Sequence, residues 1–241
     1  MFRQVGSVFS FLTIMPTGSS DLQIVARYMY LFPLVGIVIG LIVGSAGYGL
    51  SLFLEPLVVG LLVTAAFVLI TGIHHIDGLA DFADGLMARG TREKKLQVMR
   101  DPSVGSAGII TLVLYVGGMV ISLSSMNGFD MLVAIIAAEI IAKFSMVLLA
   151  GIGPSAWEGS NSSFVSSMKD KRKLILAAGI TVASLLALQN NSAFFALAVS
   201  MAISLIIALV SRRSFGGISG DIMGATNEMT RLASLLVFIS I

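Results

Sequence analysis

The chain contains no cysteine. Disulfides, thiolate metal centres and cysteine nucleophiles are therefore excluded. Charge is scarce: Asp, Glu, Lys and Arg make up 12% of the 241 residues, about half the ~25% of a soluble domain. Only 5 prolines occur, so helix breakers of that kind are few. What fills the chain is apolar, at 56% of residues and a mean hydropathy of +0.98. A water-soluble fold of this size could not hide so much apolar surface, and the solvent is a bilayer.

A spanning helix needs about 20 mostly apolar residues. Leu31–Leu52, Pro56–Ile73, Gly105–Met126, Met131–Ile152, Leu174–Asn190 and Ala193–Ser211 reach or approach that length. Leu232–Ile241 becomes long enough only if its helix starts near Gly224. The pattern predicts an all-α fold: a polytopic integral-membrane bundle of six or seven transmembrane helices, a single membrane domain over 1–241.

Charge sets the orientation. With the N-terminus inside, the inner segments hold every Lys and Arg except Lys143, from Arg3 and Arg27 through the 89–100 and 169–173 groups to Arg212, Arg213 and Arg231. The outer turns, Phe53–Glu55, Asn127–Asp130 and the residues around Asn191, hold none. The net charge of +2 and the pI near 9 thus record membrane orientation, and no nucleic-acid partner is expected. The expected location is the cell membrane, with the N-terminus and the chemistry on the cytoplasmic side.

Within the first segment, 1–30, Val5, Val8, Phe9 and Leu12 recur at i, i+3, i+4 and i+7, the spacing of an interfacial helix. Pro16 follows without a small-residue cleavage pattern, which argues against a secretory signal. No internal repeat is evident. The inner loops are long, and loops of that length are usually functional.

The most informative stretch is the acidic and basic segment 74–104, which the second apolar run enters without an evident break. If the helix continues, Asp77, Asp81 and Asp84 stand at i, i+4 and i+7, within a stripe roughly 60° wide, with His74 beside it and His75 pointing away. Stacked carboxylates repel one another unless a cation neutralises them, and hard oxygen donors suit Mg²⁺. Asp77 and Asp84 are about 10 Å apart along the axis, so either a second helix adds ligands or two ions bind. Gly78 and Gly85 near that face leave room for a helix or a phosphate.

Arg89, Arg92, Lys94, Lys95 and Arg100 follow. Basic groups beside a carboxylate-held cation are what a diphosphate ester requires, although positive-inside anchoring accounts for part of them. Glu139 and Lys143 form an i, i+4 pair at membrane depth, where ionisable groups usually mark function. The 212–230 stretch reads as a Gly-rich inner loop around Asp221, a candidate fourth carboxylate.

At these residues the chain resembles the cobalamin synthase family, adenosylcobinamide-GDP ribazoletransferase. The matching motifs are His74-x-x-Asp77-Gly78-Leu79-Ala80-Asp81-x-x-Asp84-Gly85, Met99-Arg100-Asp101-Pro102-Ser103-Val104-Gly105, and Gly216-Gly217-x-x-Gly220-Asp221-x-x-Gly224-Ala225. The opening Phe11–Pro16 is also similar, with Ile14 and Lys143 where the family commonly has a basic residue and an Arg. The resemblance implies Mg²⁺-dependent joining of adenosylcobinamide-GDP to α-ribazole or its 5′-phosphate, with release of GMP. It implies Asp77, Asp81 and Asp84 as metal ligands, with Asp84 or Asp221 as the base. Substrate contacts are then expected from His74, Arg89, Arg100, Asp101, Lys143, Gly217 and Gly220. Small-molecule substrates and membrane lipid are the expected partners, with self-association open. Two other readings stand beside this one: a CDP-alcohol phosphotransferase, and a cation- or proton-coupled transporter using Glu139 and Lys143.

Overall fold

The computed structural model describes residues 2–17, 21–156 and 160–241. They form helices, with a single isolated β-bridge between Ser155 and Ile218. Helices α1 (Phe2–Leu12) and α2 (Leu22–Arg27) precede a 3-10 turn (Met29–Leu31) and α3 (Phe32–Ser51). Next come α4 (Pro56–Thr71), α5 (His74–Met87), α6 (Arg92–Val98) and α7 (Ser106–Ser124). The rest are α8 (Gly128–Ile152), α9 (Ser160–Met168), α10 (Lys171–Ala187), α11 (Ser192–Ser214) and α12 (Gly220–Ser240).

Helix α8 is the central post, buried at every residue from Val133 to Ala150. Its neighbour α3 approaches through a row of small residues: a Cβ on Gly36 would lie 2.6 Å from the Glu139 carbonyl oxygen, and one on Gly40 2.7 Å from the Ile136 Cα. Lipid gives no hydrophobic drive between helices, so close backbone packing of this kind supplies the association. The outward faces carry exposed Leu57, Leu61, Ile110, Val113, Leu205 and Leu209, as a bilayer solvent requires.

Among the described residues, four helices qualify by length and apolarity to cross a membrane: Met29–Ser51, Ser106–Ser124, Gly128–Ile152 and Ser192–Ser214. The count is five if α4 and α5 make one broken span, below the expected six or seven. Helices α4 and α10 are short, at 16 and 17 residues, and α12 carries Asp221, Glu228 and Arg231. Even so, α12 runs the length of the bundle. Its end lines a cleft with Asn127, just before α8, Asp130 in the first turn of α8, and Asn190, before α11.

Two sequence expectations are corrected. The second apolar run does not continue into the acidic residues: Gly72 adopts φ +70°, and α5 turns 95° away from α4. Glycine occupies that backbone region without strain. The Ile14 N–H donates to the Ile70 carbonyl at 2.9 Å, satisfying one of the acceptors that a helix end leaves free. The 212–230 stretch is also mostly helical, with only Phe215–Ser219 linking α11 to α12. The other long inner loops contain α5, α6 and α9, and residues 157–159 lie outside the described residues.

Candidate active site

The spacing of the acids holds on the short helix: Asp77, Asp81 and Asp84 all lie on α5. This helix crosses α12 where neither has a side chain in the way. A Cβ on Gly78 would sit 2.8 Å from the Asp221 Cα, and one on Gly224 3.1 Å from the His75 Cα. The glycine room is thus taken by a helix, and the crossing sets Asp221 beside the acids of α5.

Asp81 is half-buried and feels the other three. Loss of water, then the charges of Asp77, Asp221 and Asp84, push its carboxyl up to about 6. Among the described residues no three acidic or histidine side chains are already arranged to hold a metal ion. The donors are nonetheless all hard carboxylate oxygens, and the repulsion that raises Asp81 is what a divalent cation relieves. By chemistry the set fits Mg²⁺.

Asp84 has a second task. Its two oxygens accept the N–H groups of Gly105, at 2.7 Å, and Gly108, at 2.9 Å. Gly105 gives α7 no side-chain cap of its own, so Asp84 caps that helix from across the chain and faces its positive end.

A cavity of about 600 Å³ opens at the α5–α12 crossing. Asp221, Gly220, His74, His75, Thr71 and Gly72 line one side, and Phe11, Thr13 and Ile14 line the other. The opening motif therefore joins the acidic one in space. His74 is exposed on this cavity; His75 is buried, with Nδ1 3.9 Å from Glu228 Oε1. Arg100 is close enough for its charge to act on Asp221. Asp101 is exposed, and the Ser103 N–H at 2.9 Å holds its carboxyl below the usual range.

Five expected contacts do not line the cavity: Arg100 and Asp101 line a separate groove with Glu93 and Gln97, and Arg89, Gly217 and Lys143 lie elsewhere. Arg89 is exposed just past the end of α5. Gly217 packs on backbone, where a Cβ would lie 2.4 Å from the Pro154 carbonyl oxygen. Lys143 is enclosed, with its Nζ 2.8 Å from Asn227 Oδ1 and 3.3 Å from Glu139 Oε2.

Lys143 belongs to a buried network of which only the Glu139–Lys143 pair is evident in the sequence. Arg231 pairs with both Glu139 and Glu228 and lies 4.8 Å from the centre of the Phe67 ring. The Tyr115 hydroxyl donates to Glu228, and Asn227 Nδ2 donates to Glu228 Oε1 at 2.8 Å. Arg231 was expected among the inner-loop charges; it is instead 1% exposed on α12. The Asn227–Glu228–Arg231 cluster inside an otherwise apolar stretch was the available signal. Two acids and two bases balance here, which marks a structural tie rather than a transport path.

The fold and site define a class: a polytopic helical membrane protein with a carboxylate-rich site at one end of its bundle. The model of the cobalamin-5-phosphate synthase family, CobS, matches residues 4–239. A protein of Methanocella arvoryzae named adenosylcobinamide-GDP ribazoletransferase is 32% identical, over 95% of this chain and 92% of that protein. Proteins of the same name are 32% identical in Archaeoglobus fulgidus, covering 96% of this chain and 94% of theirs, and 34% identical in Bradyrhizobium diazoefficiens, covering 95% and 90%. No solved structure matches the chain. The chain belongs to the cobalamin-5-phosphate synthase family and is an enzyme, a transferase of cobalamin biosynthesis.

Proposed function

We propose that the protein joins adenosylcobinamide-GDP to α-ribazole or its 5′-phosphate, releasing GMP, with Mg²⁺ at the acids of α5 and the site facing the cytoplasm. The observation that carries this reading is the α5–α12 crossing, which sets Asp221, on the wall of a cavity, beside the three acids of α5. The names of the relatives supply the substrates. The basic inner segments support the orientation.

Asp77, Asp81 and Asp84 would hold the ion, Asp81 centrally because all three other acids act on it. Bound Mg²⁺ supplies charge neutralisation on the pyrophosphate and on the departing phosphate. The two N–H groups on Asp84 fix its oxygens and leave each a lone pair for a ligand. Those bonds also engage both Asp84 oxygens, which leaves the base role to Asp221. Of the four acids, Asp221 lines the cavity.

In the step, the α-ribazole hydroxyl oxygen attacks the corrinoid-side phosphorus, its proton passes to Asp221, and the bond to the GMP oxygen breaks. Arg100 offsets charge on the phosphate oxygens. The walls formed by Phe11, Ile14 and Met223 suit the apolar flank of a bulky substrate.

The test is GMP formation by the purified protein from the activated corrinoid and α-ribazole, with Mg²⁺ and with EDTA. Release should need Mg²⁺ and should vanish in Asp81→Ala. Full release by Asp81→Ala at saturating Mg²⁺ overturns the assignment.

A further inference from the structure

Helix α1 walls two cavities. Ser10 and Phe11 at its C-terminal end, with Thr13 just beyond it, face the substrate cavity. Its earlier residues, Gln4, Val5, Val8 and Phe9, face a separate groove of about 510 Å³, closed on the other side by Tyr28 and Leu34. Groove and helix meet where the chain enters its first span, Met29–Ser51.

The groove lining is almost wholly apolar, and Leu34 is 40% exposed at its edge, so the groove opens toward the bilayer. The rings of Tyr28 and Tyr30 stand 6.1 Å apart there; paired tyrosines of this kind sit at headgroup level. Arg3 and Arg27 are exposed beside Gln4 and Tyr28 in the chain, and among the described residues neither guanidinium meets an acid. An apolar slot lined by Gln4 and Tyr28, each next in the chain to an exposed Arg, matches a molecule with an acyl chain and an anionic head.

We propose that this groove binds one anionic phospholipid, with an acyl chain along Val5, Phe9 and Leu34 and its phosphate at Arg3 and Arg27. The bound lipid sets the position of α1 and, through it, the wall of the substrate cavity. Acyl chains are the groove's neighbours at the highest concentration. An anionic head adds attraction worth about fivefold in affinity per basic residue at the membrane surface.

The test reconstitutes the intact protein in phosphatidylcholine vesicles with and without phosphatidylglycerol, re-extracts it, and counts retained phospholipid by native mass spectrometry. Retention is read without any turnover, so its failure is distinct from failure of the proposed transfer. The wild-type chain should retain one phosphatidylglycerol in preference to phosphatidylcholine. Leu34→Trp fills the groove while leaving both arginines, and should lose the lipid. R3A and R27A should each weaken retention about fivefold. Where GMP release is measured, phosphatidylglycerol should lower the KM of the wild type and not of Leu34→Trp. Equal retention of the two lipids, unchanged retention in Leu34→Trp, or a second copy of the chain in place of lipid overturns the proposal.

Discussion

Helix α12 carries two groups of charges that obey opposite rules. In its first turn, Asp221 joins Asp77, Asp81 and Asp84, all of one sign and none fully buried. About two turns further on, Glu228 and Arg231 join Glu139 and Lys143, balanced in sign and enclosed, at 0–1% exposure. The first group repels itself, as the raised carboxyl of Asp81 records, and a cation would relieve that repulsion, which is the mark of a candidate site. The second has given up water for fixed partners on α7, α8 and α12, which is the mark of a frame. The frame holds α12 where Gly78 receives Asp221.

Breaking that contrast should be costliest at the frame. Arg231→Met strips Glu139 and Glu228 of their shared cation and should cost about 3–5 kcal/mol, read as a large fall in thermal midpoint in detergent. Gly78→Ala comes next. Its Cβ meets the Asp221 backbone at 2.8 Å and should cost about 1–3 kcal/mol by overpacking, with GMP release falling further than in Gly224→Ala, where the closest atom is 3.1 Å away. Asp84→Ala leaves the α7 amides uncapped and should cost about 1 kcal/mol. The smallest effect has the opposite sign. Asp81→Asn removes a repelled charge and should stabilise the metal-free protein by up to about 1 kcal/mol, a figure discounted for solvent screening of a half-exposed group, while abolishing transfer. A loss of stability in Asp81→Asn without metal would erase the distinction between the two groups.

Much of this was legible from the chain. The i, i+4, i+7 spacing placed three acids on one helix, and the Gly-rich motif around Asp221 pointed to a fourth. What was hidden depended on partners distant in sequence. Gly72 inside an apolar run looks like a tolerated helix residue, and its bend is fixed by an N–H from Ile14, far upstream. Arg231 resembles an inner-loop charge because Glu139, which neutralises it, lies 92 residues away. Tyr115 gave no local signal, since its meaning comes from Glu228, 113 residues away. The double task of Asp84 was invisible for the same reason: only the fold brings Gly105 and Gly108 to it.

If the α5 acids bind a divalent cation, Mn²⁺ can stand in for Mg²⁺ as a spectroscopic probe. Electron paramagnetic resonance on the detergent-solubilised protein should show Mn²⁺ immobilised by the wild-type chain, displaced by excess Mg²⁺, and left free in a folded Asp77→Asn, Asp81→Asn double variant. Equal immobilisation by the wild type and that variant would contradict the account.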